Sequence, residues 1–151
     1  MDAPKDYEEF FVLLNKEKIK YLIVGAYAVA YHAQPRFTGD IDIFVEAGRT
    51  NAERLLKVVQ KFGFGEAGLT AADFLKPDQI IQLGYPPLRI DLLTSIDGVS
   101  FGTAWKRRVK GKFGRPGVWY ISKRDLIRNK RATGRTRDLL DLQLMRMKKK
   151  S

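Results

Sequence analysis

The sequence contains no cysteine and only one histidine, His32, among its 151 residues. The lack of cysteine excludes disulfide bonds, thiolate metal sites and a cysteine nucleophile, and one histidine cannot build a multi-histidine zinc centre. Any metal ion bound by this chain would therefore be held by oxygen ligands, such as carboxylates.

Long hydrophobic runs are also missing. No stretch approaches the roughly 18 apolar residues of a membrane-spanning helix, and residues 1–11 are acidic and lack the apolar segment of a signal peptide. We therefore expect a cytoplasmic protein with no membrane partner.

The composition indicates one folded domain. The hydrophobic fraction of 44% supports a core, and the charged fraction of 30% is close to that of ordinary globular proteins. Because the length matches a single domain, residues 1–151 are predicted to form one unit.

The net charge of +11 is distributed unevenly. Residues 1–100 hold 11 Lys and Arg against 14 Asp and Glu, whereas residues 101–151 hold 17 against 3. Such asymmetry indicates a polyanionic partner for the C-terminal third, with nucleotide phosphates, nucleic acid or an acidic protein all compatible. A solvated basic surface is the alternative.

The hydrophobic pattern predicts an α/β (α+β) fold in which helices flank a mixed sheet of about four to five strands. Strands are predicted at residues 21–25, 40–46, 79–83, 88–94 and 117–122. The basic region 97–117 is predicted to form a short helix about Trp105 and then a loop.

Helices are predicted at residues 6–19, 26–33, 50–62, 122–134 and from about Thr136. Ser122 and Asp125 have capping-box spacing, and Gly134 is placed to end that helix. In the last helix we expect Leu139, Leu142 and Met145 or Met147 to face inward.

The strand at 40–46 carries the first chemical signal. Ile41, Ile43 and Val45 alternate with Asp40 and Asp42, so both carboxylates project from one face. Two adjacent carboxylates repel each other unless a hard cation such as Mg²⁺ binds between them.

A third carboxylate, Asp91, lies in the strand at 88–94 on the same face as Arg89. Beside Asp40 and Asp42 it would complete an oxygen-only metal site, whereas a salt bridge with Arg89 is the competing interpretation. Gly25 stands between a strand and a helix, where the backbone can approach a phosphate closely.

These motifs occur in an order that resembles the nucleotidyltransferase superfamily of the DNA polymerase beta type. The pattern G-x-Y-A-V…P-R-x-T-x-D-I-D, followed by K-R-A-T-G-R-T-R-D-L-L-D-L, is similar to small bacterial stand-alone nucleotidyltransferase-like proteins related to the toxins of type IV toxin–antitoxin systems. The resemblance covers roughly residues 20–145 and implies the nucleotidyltransferase fold.

The resemblance also implies roles for the acidic residues. Asp40 and Asp42 would be a metal-binding pair, and Asp91 would be a third metal ligand and a base for the acceptor hydroxyl. Asp138 and Asp141 match the family's D-L-x-D-L and would orient neighbouring cations.

The phosphate-binding residues implied by the resemblance come from three motifs. The turn at Gly25 would hold phosphates, although Ala26 stands where the family usually has Ser or Gly and so offers only its backbone N–H. The others are Arg36 and Thr38 before the D-x-D strand, and Lys130 and Arg135 near the C-terminus.

The implied activity is Mg²⁺- or Mn²⁺-dependent transfer of a nucleoside monophosphate from an NTP to a hydroxyl, with RNA or a protein as acceptor. The alternative is a non-catalytic nucleotide- or RNA-binding module, or a toxin–antitoxin component, with an antitoxin or a second copy as partner. The basic run 106–115, with Trp105, Phe113 and Trp119, would then be either a solvated loop or an RNA-stacking surface.

Overall fold

The computed structural model describes residues 4–34, 39–65, 68–85 and 87–149. These residues form six α-helices and six strands. The strands are β1 (Tyr21–Val24), β2 (Ile41–Val45), β3 (Ile80–Tyr85), β4 (Leu88–Leu93), β5 (Val109–Lys112) and β6 (Gly117–Tyr120). The helices are α1 (Lys5–Lys16), α2 (Gly25–His32), α3 (Arg49–Val59), α4 (Phe101–Lys106), α5 (Lys123–Thr133) and α6 (Thr136–Lys149).

The strands form one mixed, open sheet in the order β3-β4-β2-β1-β6-β5. The β2–β4 and β1–β6 pairs are parallel, and the other three pairs are antiparallel. The mixed α and β architecture agrees with the prediction, but the predicted strand number of four to five is wrong. β5 lies within the predicted loop; its sequence, Val-Lys-Gly-Lys, has too little apolar content to indicate a strand, and it pairs with β6 at the edge of the sheet.

Helix α1 covers the sheet with an aromatic face. Tyr7, Phe10, Phe11 and Leu14 are buried at helical spacing, while Asp6 lies in the first turn, where a negative charge is favourable. None of the described helices has the length and apolar character needed to cross a membrane.

Helix α3 follows β2 and lies on the connection between β2 and its parallel neighbour β4, a connection that also contains β3. It buries Ala52, Leu55 and Val58, and beyond Val59 the chain continues as a π-helical turn to Phe64. The helix therefore packs on the sheet immediately after β2 and helps to return the chain towards β4.

Helices α5 and α6 meet at Gly134, which has a φ of 65° and ends α5 as predicted. The inward face predicted for α6 is partly wrong, because Leu139 is 55% exposed. The buried face contains Leu142 and Met145, as predicted, together with Asp138 and Asp141. The side chain of residue 147 lies outside the described part of the structure.

Ser122 begins α5 with a reciprocal cap. Its hydroxyl accepts the Asp125 N–H at 3.1 Å and donates to Asp125 Oδ2 at 3.0 Å. Ser122→Ala is expected to lower the free energy of unfolding by about 1 kcal/mol, measured by urea denaturation. Ser100→Ala is the matched control, since Ser100 precedes α4 without capping it through its side chain. Equal losses in the two variants would contradict the assigned role of the cap.

Candidate functional site

The three predicted metal ligands, Asp40, Asp42 and Asp91, lie at the centre of the sheet, and we call them the acidic cluster. Asp42 and Asp91 are register partners in the parallel β2–β4 pair, and Asp40 directly precedes β2. Asp91 is buried, and Asp40 and Asp42 are partly buried. Strand pairing therefore brings together carboxylates from two segments that are distant in the chain.

Arg89 contacts two members of this cluster. Its Nε and Nη2 donate to the two carboxylate oxygens of Asp91 at 2.7 and 3.0 Å. The same Nη2 lies 3.1 Å from Asp40 Oδ2. The Arg89–Asp91 salt bridge considered in the sequence analysis is thus present, and one guanidinium bridges two of the three carboxylates.

Asp42 has a perturbed ionisation. Burial, together with the negative charges of Asp91 and Asp40, raises its pKa from 3.8 to about 6, while Lys130 acts in the opposite direction. Close to neutral pH this carboxylate is therefore more easily protonated than an ordinary aspartate, because its ionised form is poorly solvated and repelled.

Gly25 lies against the Asp42 carboxylate. Its φ is 66°, and a Cβ atom at this position would collide with the Asp42 side chain, whose Cβ and Cγ would both lie 3.1 Å away. Val24, just before it, pairs with Asp42 across the β1–β2 ladder. Only glycine combines this backbone conformation with such a close approach, so α2 begins directly beside the acidic cluster.

The C-terminal helices contribute a buried ion network. Lys130 is 6% exposed, and its Nζ lies 3.0 Å from Asp138 Oδ1 and 3.2 Å from Asp141 Oδ2. Arg135 Nε donates to Asp138 Oδ2 at 2.7 Å. Hydrogen bonds from Arg135, Thr133 and Lys130 hold the pKa of Asp138 well below its usual range despite burial.

These groups line one polar cleft of about 770 Å³, which we call the central cleft. Gly25 and Ala26 form part of its wall, and charged side chains of both signs complete it. The acidic ones are Asp40, Asp42, Asp91, Asp97 and Asp141, and the basic ones are Arg89, Lys130, Arg135 and Arg137. A larger surface groove, about 1210 Å³, lies along α1 and contains none of the predicted site residues. The central cleft is therefore the candidate site.

Two predicted phosphate-binding residues, Arg36 and Thr38, lie outside the described residues. The other predicted site residues all line the central cleft: Gly25, Ala26, Asp40, Asp42, Asp91, Lys130 and Arg135. Of the two predicted cations, Lys130 is the more enclosed, since it is buried and paired with two carboxylates, whereas the Arg135 side chain is 63% exposed.

Sequence reasoning missed two charged residues that line the cleft and one tyrosine that contacts the backbone beside it. Asp97 and Arg137 line the cleft, and Arg137 could have been found from its place in the K-R-A-T-G-R-T-R motif. The Tyr7 hydroxyl is 2.5 Å from the Gly39 carbonyl oxygen and 3.1 Å from that of Arg89. No local signal identifies Tyr7, because its contacts join segments that are far apart in the chain.

The aromatic residues in and near the basic run 106–115 are used for packing. Phe113 is 4% exposed and contacts Tyr7 and Phe11, and the Arg108 guanidinium lies 3.9 Å from the ring centre of Trp105 and 4.4 Å from that of Trp119. This cation–π contact engages both tryptophans from within the chain. The ring faces of Trp105 and Trp119 that contact Arg108 are therefore not available to stack on RNA bases.

A divalent cation does not fit the acidic cluster as it is arranged here. Within the described ranges, no group of three or more His, Cys, Asp or Glu side chains is placed to hold a metal ion. Mg²⁺ requires oxygen ligands at about 2.0–2.1 Å in octahedral geometry, whereas Arg89 already contacts oxygens of Asp40 and Asp91. The carboxylates have the correct chemistry, but their present partner is a guanidinium.

Comparison with known proteins leaves the family open. No protein-family model and no curated protein matches this chain. The resemblance to nucleotidyltransferases therefore rests on the order of the motifs in the sequence.

Proposed function

We propose that this chain is a nucleotidyltransferase that transfers a nucleoside monophosphate from an NTP to a hydroxyl and releases pyrophosphate. The observation that supports this proposal best is the central cleft. It combines two register-paired carboxylates, Asp42 and Asp91, with the backbone turn at Gly25 and the ion-paired cations Lys130 and Arg135.

In the proposed reaction the acceptor hydroxyl attacks the α-phosphorus. A new O–Pα bond forms, the bond from Pα to the pyrophosphate oxygen breaks, and the hydroxyl proton passes to the carboxylate of Asp91. N–H groups at the start of α2, in the turn at Gly25 and Ala26, bind phosphate oxygens. Arg135 stabilises the charge that develops on pyrophosphate. Lys130 pairs with Asp138 and Asp141 and so keeps these helix side chains in position beside the cleft.

The proposal includes Mg²⁺ or Mn²⁺ as the cofactor, and Asp40, Asp42 and Asp91 would hold it if Arg89 released its contacts with Asp40 and Asp91. When bound, such a cation supplies positive charge to the phosphates and orients them.

The acceptor is proposed to be a macromolecule, RNA or protein, because the basic surface extends beyond the central cleft. Arg124, Arg128 and Arg131 are exposed on α5 at spacings of four and three residues, so they share one face of the helix. None of the three forms an ion pair with another described residue. Such a row of unpaired cations suits the phosphates of RNA or an acidic protein surface better than a small molecule.

A second candidate function is a non-catalytic nucleotide- or RNA-binding module, or a toxin–antitoxin component that acts by contact. The bridge from Arg89 to Asp40 and Asp91 favours this alternative, because it neutralises carboxylates that catalysis would need. Ala26, which offers no hydroxyl to a phosphate, favours it as well.

The discriminating experiment is a labelling assay with NTPs that carry ³²P at the α-phosphate, incubated with cell extract and Mg²⁺ or Mn²⁺. We expect the wild-type protein to label a macromolecule, Asp42→Asn to abolish labelling, and NTPs labelled at the γ-phosphate to give none. Asp6→Asn, an exposed change on α1, is the matched control and should retain labelling. Labelling that persists in Asp42→Asn would refute the assigned site, and no labelling by any NTP would favour the binding module.

A further inference from the structure

Arg89 is held in its position by backbone contacts as well as by its ion pairs. It lies in β4 opposite Gly84 of β3, and its carbonyl oxygen is 3.1 Å from the Tyr7 hydroxyl. Because Arg89 and Asp91 are two residues apart in a strand, their side chains project from the same face. The guanidinium is therefore directed to the acidic cluster by the strand itself.

The contacts of Arg89 use the oxygens that a metal ion would need. Both oxygens of Asp91 accept hydrogen bonds from it, and Asp40 Oδ2 lies 3.1 Å from the same Nη2 that contacts Asp91. A guanidinium remains charged throughout the physiological pH range. Protonation changes therefore cannot remove this cation, and a metal ion can enter only if the side chain moves.

Electrostatics makes the two cations mutually exclusive. A divalent ion among these carboxylates would lie a few ångströms from the guanidinium, where like charges in a partly buried site repel strongly. The acidic cluster can stabilise either the guanidinium or a divalent ion. Its three carboxylates, Asp91 first and then Asp40 and Asp42, lie close enough to Arg89 to raise the pKa of the guanidinium.

We propose that Arg89 is an internal counter-ion that competes directly with a divalent cation for Asp40 and Asp91, and that it sets the metal affinity of the central cleft. This inference rests on the proposed function, which supplies the reason for a metal to bind. Arg89 lines the same cleft as Arg135 and the α2 turn, so the phosphates of a nucleotide offer the released guanidinium an alternative partner. Metal and nucleotide should consequently bind with positive cooperativity.

The test is a calorimetric titration with Mn²⁺ alone, without nucleotide. Arg89→Gln is expected to bind Mn²⁺ at least about tenfold more tightly than the wild type, because the competing charge is gone. Arg137→Gln is the matched control, since it removes the same charge from the same cleft without removing a contact to the acidic cluster. Its affinity is expected to change by less than about threefold.

Adding a non-hydrolysable NTP analogue tests the cooperativity. In the wild type the analogue should tighten Mn²⁺ binding more than it does in Arg89→Gln, where no guanidinium has to be displaced. Unchanged Mn²⁺ affinity in folded Arg89→Gln, or an equal gain in Arg137→Gln, would overturn the inference. Should Arg89→Gln fail to fold, Arg89→Met replaces it, because it also removes the charge while keeping an unbranched side chain. Arg89→Met should then bind Mn²⁺ more tightly than the wild type, and unchanged affinity would again overturn the inference.

The outcomes separate this inference from the proposed function. Tighter Mn²⁺ binding in Arg89→Gln without any macromolecular labelling would support the counter-ion and reject nucleotidyl transfer. Labelling that depends on Asp42, together with unchanged Mn²⁺ affinity in Arg89→Gln, would support transfer and reject the counter-ion.

Discussion

Lys130→Met is expected to lower the free energy of unfolding by about 3–5 kcal/mol, because it removes one partner of a buried ion network. Asp138 is 0% exposed and Asp141 is 1% exposed, so neither carboxylate can recover its lost partner from water. Urea denaturation at neutral pH, followed by circular dichroism, measures the change.

Two further variants identify the cause of that loss. Lys130→Met combined with Asp141→Asn should recover part of the stability, since one buried charge disappears with its partner. Lys57→Met, at an exposed position on α3, is the matched control and should change stability by no more than about 0.5 kcal/mol. Similar stability of Lys130→Met and Lys57→Met would show that the buried network does not hold α5 and α6 together.

Asp42→Asn is expected to stabilise the protein at neutral pH. The folded-state pKa of Asp42 is raised from 3.8 to about 6, so folding disfavours its ionised form. Well below pH 3.8 the carboxyl is protonated in both the folded and the unfolded chain and costs nothing. As the pH rises from about 3.8 to about 6, the unfolded chain ionises before the folded one, so stability falls by an amount that approaches about 3 kcal/mol and then stays constant. The asparagine variant should lack this loss.

The measurement compares urea denaturation of the wild type and Asp42→Asn at pH 4 and pH 7.5, with EDTA present to remove divalent cations. The stability difference should be small at pH 4 and reach its full size at pH 7.5. Asp6→Asn, exposed on α1, should show no such pH dependence. An equal gain for Asp42→Asn at both pH values would mean that ionisation of this carboxylate is not its source.

The expected gain from Asp42→Asn bears on function as well. A partly buried carboxylate beside Asp91 and Asp40 destabilises the fold in the absence of a ligand, and such local costs are concentrated at functional sites. If asparagine stabilises the protein and also abolishes labelling, the two results together would identify Asp42 as a residue retained for chemistry.

Local pattern was enough to predict β2 and the common face of its carboxylates. Alternation of Ile41 and Ile43 with Asp40 and Asp42 needs only the two-residue period of a strand, and both isoleucines are 0% exposed. The alignment of Asp42 with Asp91 could not be predicted in the same way, because parallel pairing joins segments without a hairpin to fix their register. The sequence therefore left open how Arg89 divides its contacts between Asp91 and Asp40.

The misassigned elements share one physical cause. Polar residues lie in a strand and on the buried face of a helix, where a search for apolar residues does not find them. β5 is an edge strand with alternating lysines, so it lacks the apolar signal of a central strand. In α6, Asp138 and Asp141 belong to the buried face because Lys130 and Arg135 bind them. A search for apolar periodicity alone selects Leu139 instead, one residue away from the true face.

The parallel pairing of β2 with β4 also determines when the central cleft exists. Asp42 and Asp91 become neighbours only after a long loop containing α3 has closed, and such contacts form slowly because loop closure costs entropy before pairing repays it. The central cleft therefore exists only once this pairing has formed. A nucleotide that occupies the cleft would bind the native state alone and raise the melting temperature in proportion to the logarithm of its concentration.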